Sequence, residues 1–160
     1  MAATPDTRQR GFTLLELLTA VLILAVLMGI ALPTFLSARR PANDRAAQTL
    51  ARNAMSAARA VLADRDTYAG IGPGDLAAAE NTIAFVGADE PANASRTEVS
   101  VAADSDGSAA WVILASGSVS GRCFALFDLG EGPPGHLRTD TTTCRAADFD
   151  PEDPWTDAWP

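Results

Sequence analysis

One stretch constrains this chain more than any other. From Phe12 to Leu36 it runs for 25 residues with a single charge, Glu16. As a helix rising about 1.5 Å per residue it would reach about 37 Å, enough to cross a hydrocarbon core of about 30 Å. The apolar part of a secretory signal peptide is about 7–15 residues and ends at a small-residue cleavage site. This run is longer, and Pro33-Thr34-Phe35 is a poor site of that kind. A plain signal anchor has no need for Glu16, since a carboxylate inside lipid costs about 3 kcal/mol or more. An acid in such a place calls for a partner.

The preceding residues suggest one. Arg8-Gln9-Arg10-Gly11-Phe12-Thr13-Leu14-Leu15-Glu16 is a short charged leader, a glycine, an aromatic residue and then a glutamate four positions on. A cut after Gly11 would give Phe12 a free α-amine, whose ordinary pKa of about 7.7–8 leaves it largely protonated at neutral pH. In a stack of parallel helices, Glu16 of one chain can face the amine of the next. A well-aligned buried ion pair offsets much of its desolvation cost, which favours staggered assembly over a lone helix in lipid.

Residues 8–36 closely resemble the class III leader of type IV prepilins, which reads Gly-Phe-Thr-Leu-x-Glu followed by about twenty apolar residues. The resemblance implies that a prepilin peptidase cuts Gly11–Phe12 on the cytoplasmic side and N-methylates Phe12. It also implies that Glu16 neutralises a neighbouring N-terminus during assembly, and it places Pro33 where pilin helices often carry a kinking proline. The division it implies is a removed leader, 1–11; a transmembrane and filament-core helix, 12–36; an amphipathic continuation, 37–69; and a globular β head with an acidic tail, 70–160.

Charge is sorted along the chain. The total is 20 acids against 12 bases, all arginine. Arg39, Arg40, Arg45, Arg52 and Arg59 face only Asp44 between residues 37 and 59, whereas the remainder is strongly acidic. That acidity argues against general nucleic-acid binding, which needs a basic face. Arginines on both sides of the apolar run mean that the positive-inside rule alone would not place the N-terminus in the cytoplasm. The orientation rests on the resemblance.

Helical spacing continues past the apolar run through Ala46, Leu50, Ala54, Ala58 and Leu62, with Ala47, Met55 and Val61 beside them. This small-residue stripe suits close approach to a sheet or to other helices. Pro33 and Pro41 each lack an N–H and crowd the preceding turn, so kinks or local melting are expected there. The helix should end between Asp64 and Gly70. Its arginines are either a solvated face or partners for acids of adjacent subunits.

The rest reads as β. Strands are expected at 82–86, 97–102, 110–115 and 122–127, with hairpin-like connectors at 104–107 and 116–121. Gly130 to Asp140 reads as a turn-rich loop. The expected architecture is α+β: by resemblance the pilin fold, a long N-terminal helix packed on a small antiparallel β-sheet with a disulfide-closed C-terminal loop. Cys123 and Cys144 are the two cysteines. An even count on an exported domain favours a disulfide over two buried thiols.

Catalytic and cofactor signatures are missing from the sequence: no nucleophile elbow, P-loop, zinc-binding set or dinucleotide fingerprint appears. No cofactor is expected and no enzyme activity is implied. His136, in Pro133-Pro134-Gly135-His136, reads as an exposed loop residue. Asp104-Ser105-Asp106-Gly107 has its glycine too early and lacks the closing glutamate of a calcium loop. Asn93-Ala94-Ser95 is a sequon of low specificity. The tail from Asp148 reads as a solvated acidic surface with Trp155 and Trp159 tucked against the sheet.

The leading functional expectation is a structural subunit of a type IV pilus. It would be held in the cytoplasmic membrane as a single-pass precursor and assembled by inner-membrane machinery with other pilin subunits into a cell-surface filament. The alternatives are a minor pilin, a type II secretion pseudopilin on the same anchor, or, from another class, a membrane-tethered binding protein.

Overall fold

The computed structural model describes residues 12–104 and 110–159. The chain divides into two units, Met1–Arg39 and Arg40–Pro160. Helix α1, Leu14–Arg65, contributes to both. It runs through Pro33 and Pro41 without interruption, so the melting expected there is absent. Each proline removes one N–H and leaves the carbonyl four residues back without its usual donor; a bend is the form any disturbance would take. The helix ends at Arg65, inside the expected window, and Asp66 follows with a positive φ of 58°.

In the first unit the apolar side chains of α1 are exposed on every face, including Leu14, Leu18, Leu22 and Leu32. A helix that is apolar all round belongs in a core or a membrane. By length and composition this part of α1 can cross one. Its hydroxyls turn inward on the backbone: Thr19 donates to the Glu16 carbonyl at 3.0 Å and Thr34 to the Ile30 carbonyl at 3.0 Å. That spares lipid an unsatisfied donor.

The second unit is a five-stranded sheet with both faces covered. The strands are β1 (Ala84–Val86), β2 (Glu98–Ala103), β3 (Val112–Gly117), β4 (Cys123–Asp128) and β5 (Gly135–Thr139), in spatial order 1-2-3-4-5. β2 to β5 form an antiparallel meander, but β1 pairs with β2 in parallel. The sheet is therefore mostly antiparallel, as expected, and the parallel β1–β2 pair corrects that expectation only at one edge. A short helix α2, Pro73–Ala79, precedes it and was not anticipated; Pro73 opens it and the Gly72 N–H donates to the Asp75 carboxylate at 2.9 Å. A second correction is β5, which occupies the segment read as a loop. Its register against β4 pairs Leu126 with His136 and Phe124 with Arg138.

Because strand side chains alternate, β2, β3 and β4 each feed both cores. Val99, Val101, Val112, Leu114 and Leu126 meet Ala51, Ala54, Met55, Ala58 and Val61 of α1. The buried stripe therefore follows Ala47, Ala51, Ala54 and Ala58, while Ala46 is exposed. Alanines let the helix axis lie close to the sheet, and the longer Leu50 and Leu62 fill its flanks. On the opposite face Ile113, Ala115, Cys123 and Ala125 pack with Cys144, Ala146 and Phe149. The Cys123–Cys144 disulfide sits there, closing the C-terminal segment over the sheet. Beside it the Ala92 N–H donates to the Cys144 carbonyl at 2.8 Å, and the Ala146 N–H to Ser100 Oγ at 2.9 Å.

The tail grips the free edge of β5. His136 and Thr156 exchange backbone hydrogen bonds of 2.8 and 3.1 Å. Trp155 stacks on Phe127 on the disulfide side, and Trp159 packs edge-on against Phe124 and His136 on the helix side. The two tryptophans thus straddle the sheet.

Candidate functional site

The sequence points to the start of α1. Gly11, the expected cleavage position, lies outside the described residues, as does the calcium-like run 105–107. Phe12 and Thr13 precede the helix and are exposed. Thr13 is its N-cap: Thr13 Oγ1 accepts the Glu16 N–H at 3.2 Å, and the Thr13 carbonyl accepts the Leu17 N–H at 3.2 Å. Thr13-Leu14-Leu15-Glu16 fits the capping-box spacing, a signal legible in the sequence and overlooked there. Glu16 is the acid of the first turn, where the helix macrodipole favours a negative charge. A carboxylate is thus displayed one turn after Phe12, in a stretch of α1 that carries no other charge before Arg39. Pro33 lies within α1, seventeen residues after Glu16 by numbering.

Two polar clusters tie α1 to the sheet in the second unit, and sequence reasoning found neither. Asp44, with its side chain only 8% exposed, accepts hydrogen bonds from Ser118 Oγ at 2.7 Å, from Ser120 Oγ, and from Arg122 Nη1 at 2.7 Å. Burial alone would push this carboxyl up; the hydrogen bonds from Ser120, Ser118 and Arg122 outweigh it and hold the group below its ordinary value. The β3–β4 turn supplies these donors because Gly121, at φ 88°, closes it in the left-handed region. The second cluster joins Arg59, Tyr68 and Asp128. Burial first, then the Asp128 carboxylate, raises the Tyr68 phenol above its ordinary value. Arg59 therefore belongs to neither expected class: it is neither purely solvated nor reserved for another subunit.

His136 is also corrected. It lies in β5 and is 9% exposed, its ring against Trp159 and its Nδ1 without a hydrogen-bond partner. Burial lowers its pKa. The edge pairing and the Trp159 lid enclose what looked like a loop residue. A groove of about 300 Å³ beside α1, lined by Asn43, Ala47, Leu50, Ser95, Arg96 and Val119 among others, contains no histidine, cysteine or carboxylate. Among the described residues no group of His, Cys, Asp and Glu is arranged to hold a metal.

No curated protein and no solved structure matches the chain. The family model of the prokaryotic N-terminal methylation motif matches residues 6–32, which span the Gly11–Phe12 bond, the Thr13 cap, Glu16 and most of the apolar helix. That motif implies a membrane-anchored precursor, processing by a prepilin peptidase and assembly with pilin subunits. The chain carries the class III leader of type IV pilins, and this motif indicates a type IV pilin-like or pseudopilin protein.

Proposed function

We propose that this chain is a structural subunit of a type IV pilus. It is cut after Gly11, N-methylated at Phe12, and assembled through the apolar part of α1, where Glu16 neutralises the N-terminus of a neighbouring copy. Inner-membrane machinery lifts it from the membrane into a cell-surface filament, and the sheet and its disulfide-closed segment supply the outer surface. The observation that carries the reading is the placement of Glu16 in the capped first turn of α1, immediately after the cleavage motif and in a stretch with no other charge before Arg39. A lone membrane anchor gains nothing from that acid, whereas a stack of such helices gives it a cation.

A pseudopilin of type II secretion shares the same anchor. The disulfide-closed C-terminal segment favours the pilus subunit, because the major pseudopilin commonly holds this region with calcium.

Intact mass with N-terminal fragmentation, on protein purified from its own host, tests the proposal. A chain that starts at Phe12 with one added N-methyl group and recovers in sheared filaments is the expected result. A chain that starts at Met1 or Ala2 and stays in the membrane would make the protein a plain anchor and move the tethered binding protein ahead of the pilus subunit.

A further inference from the structure

The head carries two charged surfaces, one on α1 and one in the tail turn, that no ion pair joins among the described residues. The outward face of α1 presents Arg45, Thr49, Arg52 and Ser56, all exposed and spaced three or four residues apart. Thr49 and Ser56 bond back to the carbonyls of Arg45 and Arg52, so the face is regular helix to its surface. Neither Arg45 nor Arg52 makes an ion pair among the described residues. The second surface is the turn from Asp150 to Asp153. Asp150 Oδ1 accepts the Glu152 N–H at 2.9 Å and Asp153 Oδ2 the Asp150 N–H at 2.8 Å. Trp155 Nε1 donates to the Asp150 carbonyl at 3.0 Å while its ring stacks on Phe127. The acidic turn is therefore fixed in place, and Asp150, Glu152 and Asp153 have no ion pair among those found between described residues.

Phe149 and Trp155 pack on the sheet face opposite α1. The stripe lies on α1, where the charges of Arg52 and of Asp157 in the tail both reach His136, and the Asp150–Asp153 turn lies between Phe149 and Trp155 of the opposite sheet face. We propose that the Arg45/Arg52 stripe of one copy receives the Asp150–Asp153 turn of a second copy. The charge balance favours a second copy over a lipid surface: the stripe is basic, the body beyond it is strongly acidic, and both surfaces are rigid. It also gives a use to arginines placed just past an apolar run, where the positive-inside rule would not put them. Two different patches in contact form a heterologous interface, which propagates instead of closing into a pair. The proposal rests on the pilus reading in that it expects copies side by side.

The chain has no lysine, so one conservative change creates a single reactive side-chain amine. Full-length Arg52→Lys and Arg45→Lys chains, expressed as an equal mixture of light and ¹⁵N-labelled copies, are treated in membranes and filaments with a zero-length carbodiimide. The coupling forms an amide between that amine and a touching carboxylate, with loss of water taken up by the carbodiimide as a urea. The expected product joins position 45 or 52 to the 148–157 peptide with mixed labels. Its yield should fall about tenfold in an Asp150→Asn/Glu152→Gln background, equivalent to about 1.4 kcal/mol, and in 1 M salt, where the screening length is about 3 Å. Links carrying one label only, mixed links to other carboxylates, or no link overturn the contact. Filaments without the mixed link overturn this interface and leave the pilus reading intact; a mixed link in membranes that never yield filaments does the reverse.

Discussion

Tyr68 donates a hydrogen bond of 2.5 Å to Asp128, and Arg59 holds the same carboxylate through two bonds of 2.9 and 3.2 Å. Asp128 ends β4 on its helix side and is fully buried, so a single acid fixes both the last turns of α1 and the segment that follows it.

Asp128→Ala should be costly, because the Tyr68 hydroxyl would be left buried without its acceptor. Arg59 is 42% exposed and can turn to water, which trims the loss. The expected destabilisation is about 2–3 kcal/mol, read as a lower urea midpoint. An unchanged midpoint would mean the cluster contributes no net stability.

Gly135→Ala tests the tail's grip on β5. A Cβ at Gly135 would lie 2.7 Å from Trp155 Cβ, and that atom, next to the backbone, cannot swing away. Overpacking of this kind costs about 1–3 kcal/mol. The tryptophan emission should shift to the red as Trp155 leaves Phe127; an unchanged spectrum and midpoint would show that the tail yields freely.

His136 sets a pH dependence. Burial, then the charge of Arg52 on α1, disfavours the imidazolium, while Asp157 and the nearby Thr156 and Pro134 carbonyls favour it; the balance is a lowered pKa. The neutral ring is thus the form the folded state prefers. The stability it confers is complete above the unfolded value of about 6.5 and is lost as pH falls through the lowered folded value. Asp44, Asp75 and Glu80, also lowered, lose theirs in a more acidic range. Urea midpoints from pH 7.5 to 4.5 should show a first decline below about 6.5, missing in His136→Gln. The same decline in both proteins would assign it elsewhere.

Cys123→Ser removes a link between residues 21 apart. The chain-entropy account gives a loss of about 3 kcal/mol, and the C-terminal segment over Ile113 and Ala115 should become protease-sensitive. Equal melting and equal proteolysis would deny the disulfide a structural role.

Glu16→Ala should leave the processed chain in the membrane and abolish its entry into filaments, as read by shearing and immunoblotting. Normal filament yield in this variant would end the neutralisation role.

The apolar run, the end of α1 near Arg65 and four strands were legible because each shows in periodicity or length. β5 was not, because Pro133-Pro134-Gly135 reads as a turn and the strand beyond it is held in place by edge pairing and tryptophan packing from residues twenty positions away. The parallel direction of β1 was hidden for a similar reason: no local pattern of three residues encodes it. At the site, Thr13 and Glu16 could be read from spacing alone. Asp44 with Arg122, and Arg59 with Asp128, could not, since the members of each pair are far apart in sequence and meet only when α1 packs on the sheet.

The sheet has two blunt ends. β1 offers three residues, and β5 has its outer edge engaged at His136 by Thr156, with a tryptophan on either side. Neither margin presents the long, open ladder on which strands from other molecules can stack. The head is thereby guarded against amyloid-like growth, a useful property in a protein that must crowd against many copies of itself.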